Sequence, residues 1–194
     1  MIQTLNKQMI DEREPGVEPK KFVLWLLLVS SIMLFAGFTS AYIVRRGEGE
    51  WVVFDLPIMF MLSTGVIVLS SVFMQWAYIA AKKDEIGQTK IALTITFALG
   101  VLFAVMQYWG WGQMVYNGIY FGFANPSGSF VYVISGVHIL HVIIGLIYLL
   151  TILVQSFRFK IHKKALRGIA MCNTYWHFVG ILWIYLFVFL LLNR

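Results

Sequence analysis

The sequence predicts an all-α, polytopic membrane protein with five transmembrane helices and no soluble domain. Three observations carry this. Of the 194 residues, 60% are apolar and only 12% are charged, with a mean hydropathy of +0.79, far from the composition of a soluble globular domain. Residues 91–157 form a run of 67 positions without Asp, Glu, Lys or Arg, too long for one crossing of a bilayer, so it must turn back on itself. Finally, charged clusters bound three further stretches of spanning length, which with the two halves of that run make five.

Residues 1–19 read as a polar cytoplasmic tail, with Pro15 and Pro19 near its end. They contain Asp11, Glu12, Glu14 and Glu18 and do not have the pattern of a signal peptide. A single transmembrane domain is expected over 20–194. Helix one is expected over 22–44, between Lys20-Lys21 and Arg45-Arg46. Its 23 uncharged positions rise about 34 Å at ~1.5 Å per residue, enough to cross. Ser30, Ser31, Gly37, Thr39 and Ser40 suit helix–helix packing. Helix two is expected over 56–81, with Pro57 in its first turn, where a missing N–H costs little.

Helix three is expected over 90–114 and ends in Tyr108-Trp109-Gly110-Trp111, a composition suited to a membrane interface. Gly100, Gln107 and Gly110 share one of its sides. Asn117-Gly118 and Asn125-Pro126-Ser127-Gly128 mark an outer loop. Helix four is expected over 129–157 and is followed by the basic loop of Arg158, Lys160, Lys163, Lys164 and Arg167, which also holds His162. Helix five is expected over 168–193.

Charge sets the orientation. With five helices, the tail and the two–three and four–five loops hold 12 of the 15 Lys and Arg, and the other side holds Arg45, Arg46 and Arg194. The excess of basic residues belongs on the cytoplasmic side, so the N-terminus is expected inside and the C-terminus outside. The net charge of +6 then reports topology and anionic lipid, and no basic run carries the interleaved aromatics of a nucleic-acid binder. Arg45 and Arg46 are candidates for contact with lipid phosphate, set against the plainer reading of a topological flank.

The chemistry-bearing positions are few. No acidic residue falls within a predicted span, which disfavours an autonomous pump or ion-coupled transporter. The single cysteine, Cys172, excludes an internal disulfide or a Cys-based metal site. The remaining candidates are His138, His141 and His177. Ser135, His138, His141, Gly145 and Tyr148 share one side of helix four, and imidazoles in such surroundings need hydrogen-bond partners, so this side is expected to face protein. Structural, hydrogen-bonded histidines are one reading. The other is a haem held between His138 or His141 and His177, against which their unequal depths in the two helices count. Tyr175-Trp176-His177-Phe178 near the start of helix five has the look of interface anchors, and Gln107 that of an interhelical hydrogen bonder.

Taken together, these segments resemble subunit III of the haem–copper respiratory oxidases. Gly136-Val137-His138-Ile139-Leu140-His141-Val142-Ile143-Ile144-Gly145 is similar to the family's glycine–x–histidine–glycine–leucine–histidine–valine segment, and Tyr175-Trp176-His177-Phe178-Val179 to its tyrosine–tryptophan–histidine–phenylalanine–valine segment. Leu99-Gly100, Phe103 and Gln107 fit the preceding helix, and Phe38-Thr39-Ser40-Ala41-Tyr42-Ile43-Val44-Arg45 fits the end of the first shared helix. The five-helix form of the family is the one resembled; the longer form has two further helices that wall a lipid-filled cleft. Ser31, Gly110 and Gly180 stand where the family often has carboxylates.

The resemblance implies a non-catalytic, cofactor-free subunit, with haem and copper in partner subunits. It implies packing on subunit I and contact with other oxidase subunits and phospholipid, within a complex that reduces oxygen to water and translocates protons. Cytochrome c is favoured over quinol as electron donor. A bacterial inner membrane is the expected location and a larger respiratory supercomplex a candidate setting. The rivals are a haem-bearing anchor of another respiratory complex and a transporter.

Overall fold

The computed structural model describes residues 19–49, 51–122, 126–157 and 163–193. Five helices make up nearly all of this: α1 (Pro19–Gly47), α2 (Ile58–Lys82), α3 (Ile86–Tyr116), α4 (Pro126–Phe157) and α5 (Lys163–Asn193). Each contains a stretch long and apolar enough to cross a membrane, and no strand occurs among the described residues. The expected helix count and all-α membrane class are therefore observed.

The helices run past the expected ends. α1 takes in Lys20-Lys21 and Arg45-Arg46, and α3 begins at Ile86 instead of Lys90. Charge had been used to mark the boundaries, but a helix can continue through the headgroup layer while long side chains lead their charges away from hydrocarbon. Lys90, in the second turn of α3, lays its ammonium 5.3 Å from the Phe157 ring centroid, a cation–π contact. Two prolines expected in tail and loop, Pro19 and Pro126, instead open α1 and α4, the one helical position where proline is well suited. Tail residues 1–18, Asn125, Arg158, Lys160, His162 and Arg194 lie outside the described residues.

Two chain reversals are built from the same device. α2 ends with Asp84 at φ 57, the Glu85 N–H bonding Ala80 O and the Asp84 N–H bonding Ala81 O. α3 ends with Gly118 at φ 79, the Ile119 N–H on Met114 O and the Gly118 N–H on Val115 O. Both are the paired C-terminal bonds that a left-handed residue makes available, and glycine takes that backbone without strain. The turn expected at Asn117-Gly118 is this one.

α2 packs on α3, α3 on α4, α4 on α5 and α5 on α2, closing a four-helix ring; α1 lies outside it, against α4 and α5. Phe60, Phe103, Trp176 and Trp183 fill the interior of the ring, all at or below 1% exposure. An aromatic cluster ties α1 to the ring at its C-terminal end: the Tyr42 ring lies 4.6 Å from that of Trp51, 5.7 Å from Phe130 and 5.3 Å from Phe189. The Tyr42 hydroxyl donates to Asn193 O at 3.1 Å. Elsewhere α1 is open, with Phe22, Trp25, Met33 and Val44 each more than half exposed.

Candidate functional site

Trp176 is the side chain about which the interior is arranged. It enters from α5 and is flanked by two glycines. A Cβ on Gly100 of α3 would stand 2.7 Å from its Cη2, and a Cβ on Gly145 of α4 would stand 3.2 Å from its Cζ3. The missing side chains are thus the space the indole occupies. Its Nε1 donates to Ser70 Oγ on α2 at 3.1 Å, and Ser70 Oγ donates to Thr96 O on α3 at 3.2 Å. One residue therefore touches all four helices of the ring. The expectation of an interface anchor is corrected: α5 starts earlier than expected, which carries Tyr175 and Trp176 well into the bundle, where both are buried. Tyr175 OH reaches across to His141 O at 3.0 Å.

The three histidines take different roles. His177 bonds across an interface, accepting at Nδ1 from the Ser71 hydroxyl (2.9 Å) and donating from Nε2 to Gln75 Oε1 (3.1 Å), both on α2. The amide acceptor fixes the proton on Nε2. Gln75 Oε1 also accepts from Asn173 Nδ2 at 3.0 Å. His141 instead donates from Nδ1 to Val137 O of its own helix at 2.8 Å, with Phe35 of α1 5.4 Å away between ring centroids. His138 is fully buried and has no hydrogen-bond partner at either nitrogen among the described residues. It lies among Trp183 (5.0 Å between centroids), Phe103 (6.0 Å) and Phe35 (6.3 Å), from three different helices. The expectation that His138 and His141 bond across helix interfaces is therefore corrected.

What separates the three histidines is direction: His177 turns to α2, His141 to α1 and His138 to the aromatic box. The structure does not bring His177 together with either of the others, and both His177 nitrogens are already engaged. Among the described residues, no three His, Cys, Asp or Glu side chains form a group that could hold a metal ion.

Gln107 is fully buried and donates from Nε2 to Ser63 Oγ on α2 at 2.8 Å, leaving Oε1 without a partner. The positions of the absent carboxylates are filled otherwise. A Cβ on Gly110 would stand 2.5 Å from Phe60 Cε1, one on Gly180 would touch Ser71 Oγ at 3.4 Å, and the Ser31 hydroxyl bonds Leu27 O. At the C-terminal end of α1 Arg45 pairs with Glu48 and Arg46 donates to Asn193 Oδ1 at 3.4 Å. Arg45 also borders a cavity of about 320 Å³ between α1 and α4, lined by Phe38, Phe121, Phe130 and Val133.

Sequence reasoning passed over Ser63, Ser70, Ser71, Gln75 and Asn173, which among the described residues bond Gln107, Trp176 and His177 and join α2 to α3 and α5. The available signal was polar residues inside spans, with Ser70, Ser71 and Gln75 close together on one helix.

A family model described as cytochrome c oxidase subunit III matches residues 50–193. The protein named cytochrome c oxidase subunit 3 in Thermostichus vulcanus is 32% identical over 179 residues, covering 86% of this chain and 84% of the relative. The mouse (Mus musculus) protein of that name is 30% identical over 185 residues, 87% of this chain and 67% of its own length. The cytochrome bo(3) ubiquinol oxidase subunit 3 of Buchnera aphidicola is 31% identical over 183 residues, 90% and 94% of the two chains.

Proposed function

Because this chain belongs to the cytochrome c oxidase subunit III family, we propose that it is the non-catalytic third subunit of a haem–copper oxidase. In this reading it packs on the subunit that holds haem and copper, and stabilises it while the complex reduces oxygen to water and translocates protons. The observation that supports a structural role is where the motif side chains are spent. Trp176, Gly100 and Gly145 build one packing site, His177 is bonded within the bundle, and Gln107 is bonded to Ser63. Both nitrogens of His177 are engaged by α2, so neither is left to ligate a haem.

We assign cytochrome c as the electron donor, the partner named for the Thermostichus and mouse relatives. Ubiquinol is the second reading, favoured by the Buchnera relative. Haem and copper belong to partner subunits in this account. Phospholipid is proposed at the outer end, its headgroup near Arg45 and Arg46 and an acyl chain in the apolar cavity beside Arg45. The N-terminus is proposed to be cytoplasmic, in a bacterial inner membrane.

The test is purification of the tagged chain from its native membrane in mild detergent. A haem- and copper-bearing subunit in equal amount, with oxygen consumption driven by reduced cytochrome c, is the expected result. Activity with quinol alone would select the second reading. A haem that follows this chain after the other subunits are removed, and is lost in His177→Ala, would overturn the proposal.

A further inference from the structure

Two fully buried polar side chains of the ring interior, Gln107 on α3 and His138 on α4, have atoms without a partner among the described residues. Gln107 lacks a partner at Oε1 and His138 at both ring nitrogens. The antiparallel register of α3 and α4 is set by Trp111 Nε1 donating to Ser135 Oγ at 2.9 Å, and by Leu146 Cδ2 lying 2.9 Å from where a Gly100 Cβ would be. Counting from either contact places Gln107 level with residue 139, next in the chain to His138. Phe103, one turn from Gln107 on α3, is already in ring contact with His138. The other unsatisfied atoms are isolated from this pair: Ser156 Oγ lies in the last turn of α4, and Asn173 is on α5 beside Gln75 of α2.

We propose that α3 and α4 hold an internal water at this level, bridging Gln107 Oε1 and a nitrogen of His138. A neutral imidazole offers one N–H donor and one acceptor nitrogen, and an amide oxygen only accepts. Direct pairing would join the His138 N–H to Oε1. A water does the same across a gap, accepting the N–H and donating to the amide oxygen, and so meets the two partners a buried water needs. Gln107 cannot turn its amide over to help, because its NH₂ is held by Ser63 Oγ, whose own proton goes to Phe60 O. The aromatic box of Phe35, Phe103 and Trp183 supplies no conventional acceptor for His138. The water therefore completes a polar chain, Ser63–Gln107–water–His138, that ties α2, α3 and α4 together.

The inference stands apart from the oxidase assignment, and so does its test. The chain is purified with whatever subunits accompany it and imaged at a resolution where other internal waters are seen. The expected result is a density peak about 2.7–3.2 Å from both Gln107 Oε1 and one His138 nitrogen. No peak, or Oε1 in direct contact with the imidazole, would overturn it. In His138→Phe, which keeps the box aromatic, the peak should vanish and Gln107→Met should then shift the melting midpoint less than it does with His138 present. Equal shifts in both backgrounds would overturn the bridge. Should His138→Phe fail to assemble, Gln107→Met is imaged instead; a peak that persists at His138 in that variant would also overturn it.

Discussion

Substituting Gly100 with Ala adds one methyl group where the structure has none to spare. The new Cβ would meet Trp176 Cη2 at 2.7 Å, Trp176 Cζ2 at 2.9 Å and Leu146 Cδ2 at 2.9 Å. Leu146 can turn aside, but the indole cannot. Its far edge rests on Gly145, at 3.2–3.3 Å from a Cβ position there, and its Nε1 is held by Ser70. Relief requires α3 to move off α5 or the indole to break its hydrogen bond. Overpacking of this kind costs about 1–3 kcal/mol, or roughly 5- to 150-fold in an unfolding equilibrium. Gly37 supplies the control. It lies on α1 with nothing within 4 Å of its Cβ position, so Gly37→Ala should be neutral or stabilise by up to about 1 kcal/mol through helix propensity. The assay is unfolding of the purified chain by added sodium dodecyl sulfate, followed by helix content and tryptophan fluorescence. Gly100→Ala should unfold at lower detergent fraction and Gly37→Ala should not. An unchanged Gly100→Ala midpoint would refute the reasoning, because the indole would then have room that the packing denies it.

Three further outcomes follow from the same contacts. Gln75→Leu removes the acceptor shared by His177 and Asn173 and should weaken the α2–α5 seam by ~0.6 to ~1.7 kcal/mol, the range of side-chain bonds between membrane helices; the same detergent titration reads it, and no loss would mean the seam is held by packing alone. A phosphatase fused at the C-terminus should be active outside the cytoplasm, from the 12 to 3 division of basic residues, and activity confined to the cytoplasm would contradict the orientation. A membrane-permeant carbodiimide should label no peptide from within α1–α5, since none of the five helices contains Asp or Glu; a labelled peptide from any of them would contradict the helix limits.

Composition and charge were enough to count the helices, because a bilayer demands long uncharged runs and penalises everything else. They misplaced the helix ends, since Lys20, Lys90 and Arg46 are compatible with a helix that outlasts the hydrocarbon. They could not find the ring, because a lipid-facing leucine and an interior leucine read alike and amphipathic period is weak in these helices. The motif residues were visible as unusual, but their roles depend on register. Gly100 and Gly145 have meaning only once Trp176 is known to lie between them. His138 and His141 are one turn apart in sequence, yet one faces an aromatic box and the other bonds its own backbone. Ser70, Ser71 and Gln75 looked like ordinary small or polar positions until α5 was laid beside α2.

In the proposed role this chain supports an oxidase without taking part in its chemistry. The direct measurement is initial oxygen consumption per mole of haem, and its decay during turnover, in the complex purified with and without this chain. The account predicts initial rates within a few-fold of each other, unchanged haem spectra, and faster loss of activity where the chain is missing. An intact haem-loaded complex that lacks the chain and has a near-zero initial rate would contradict it, since loss of a catalytic acid–base group typically costs ~100-fold or more.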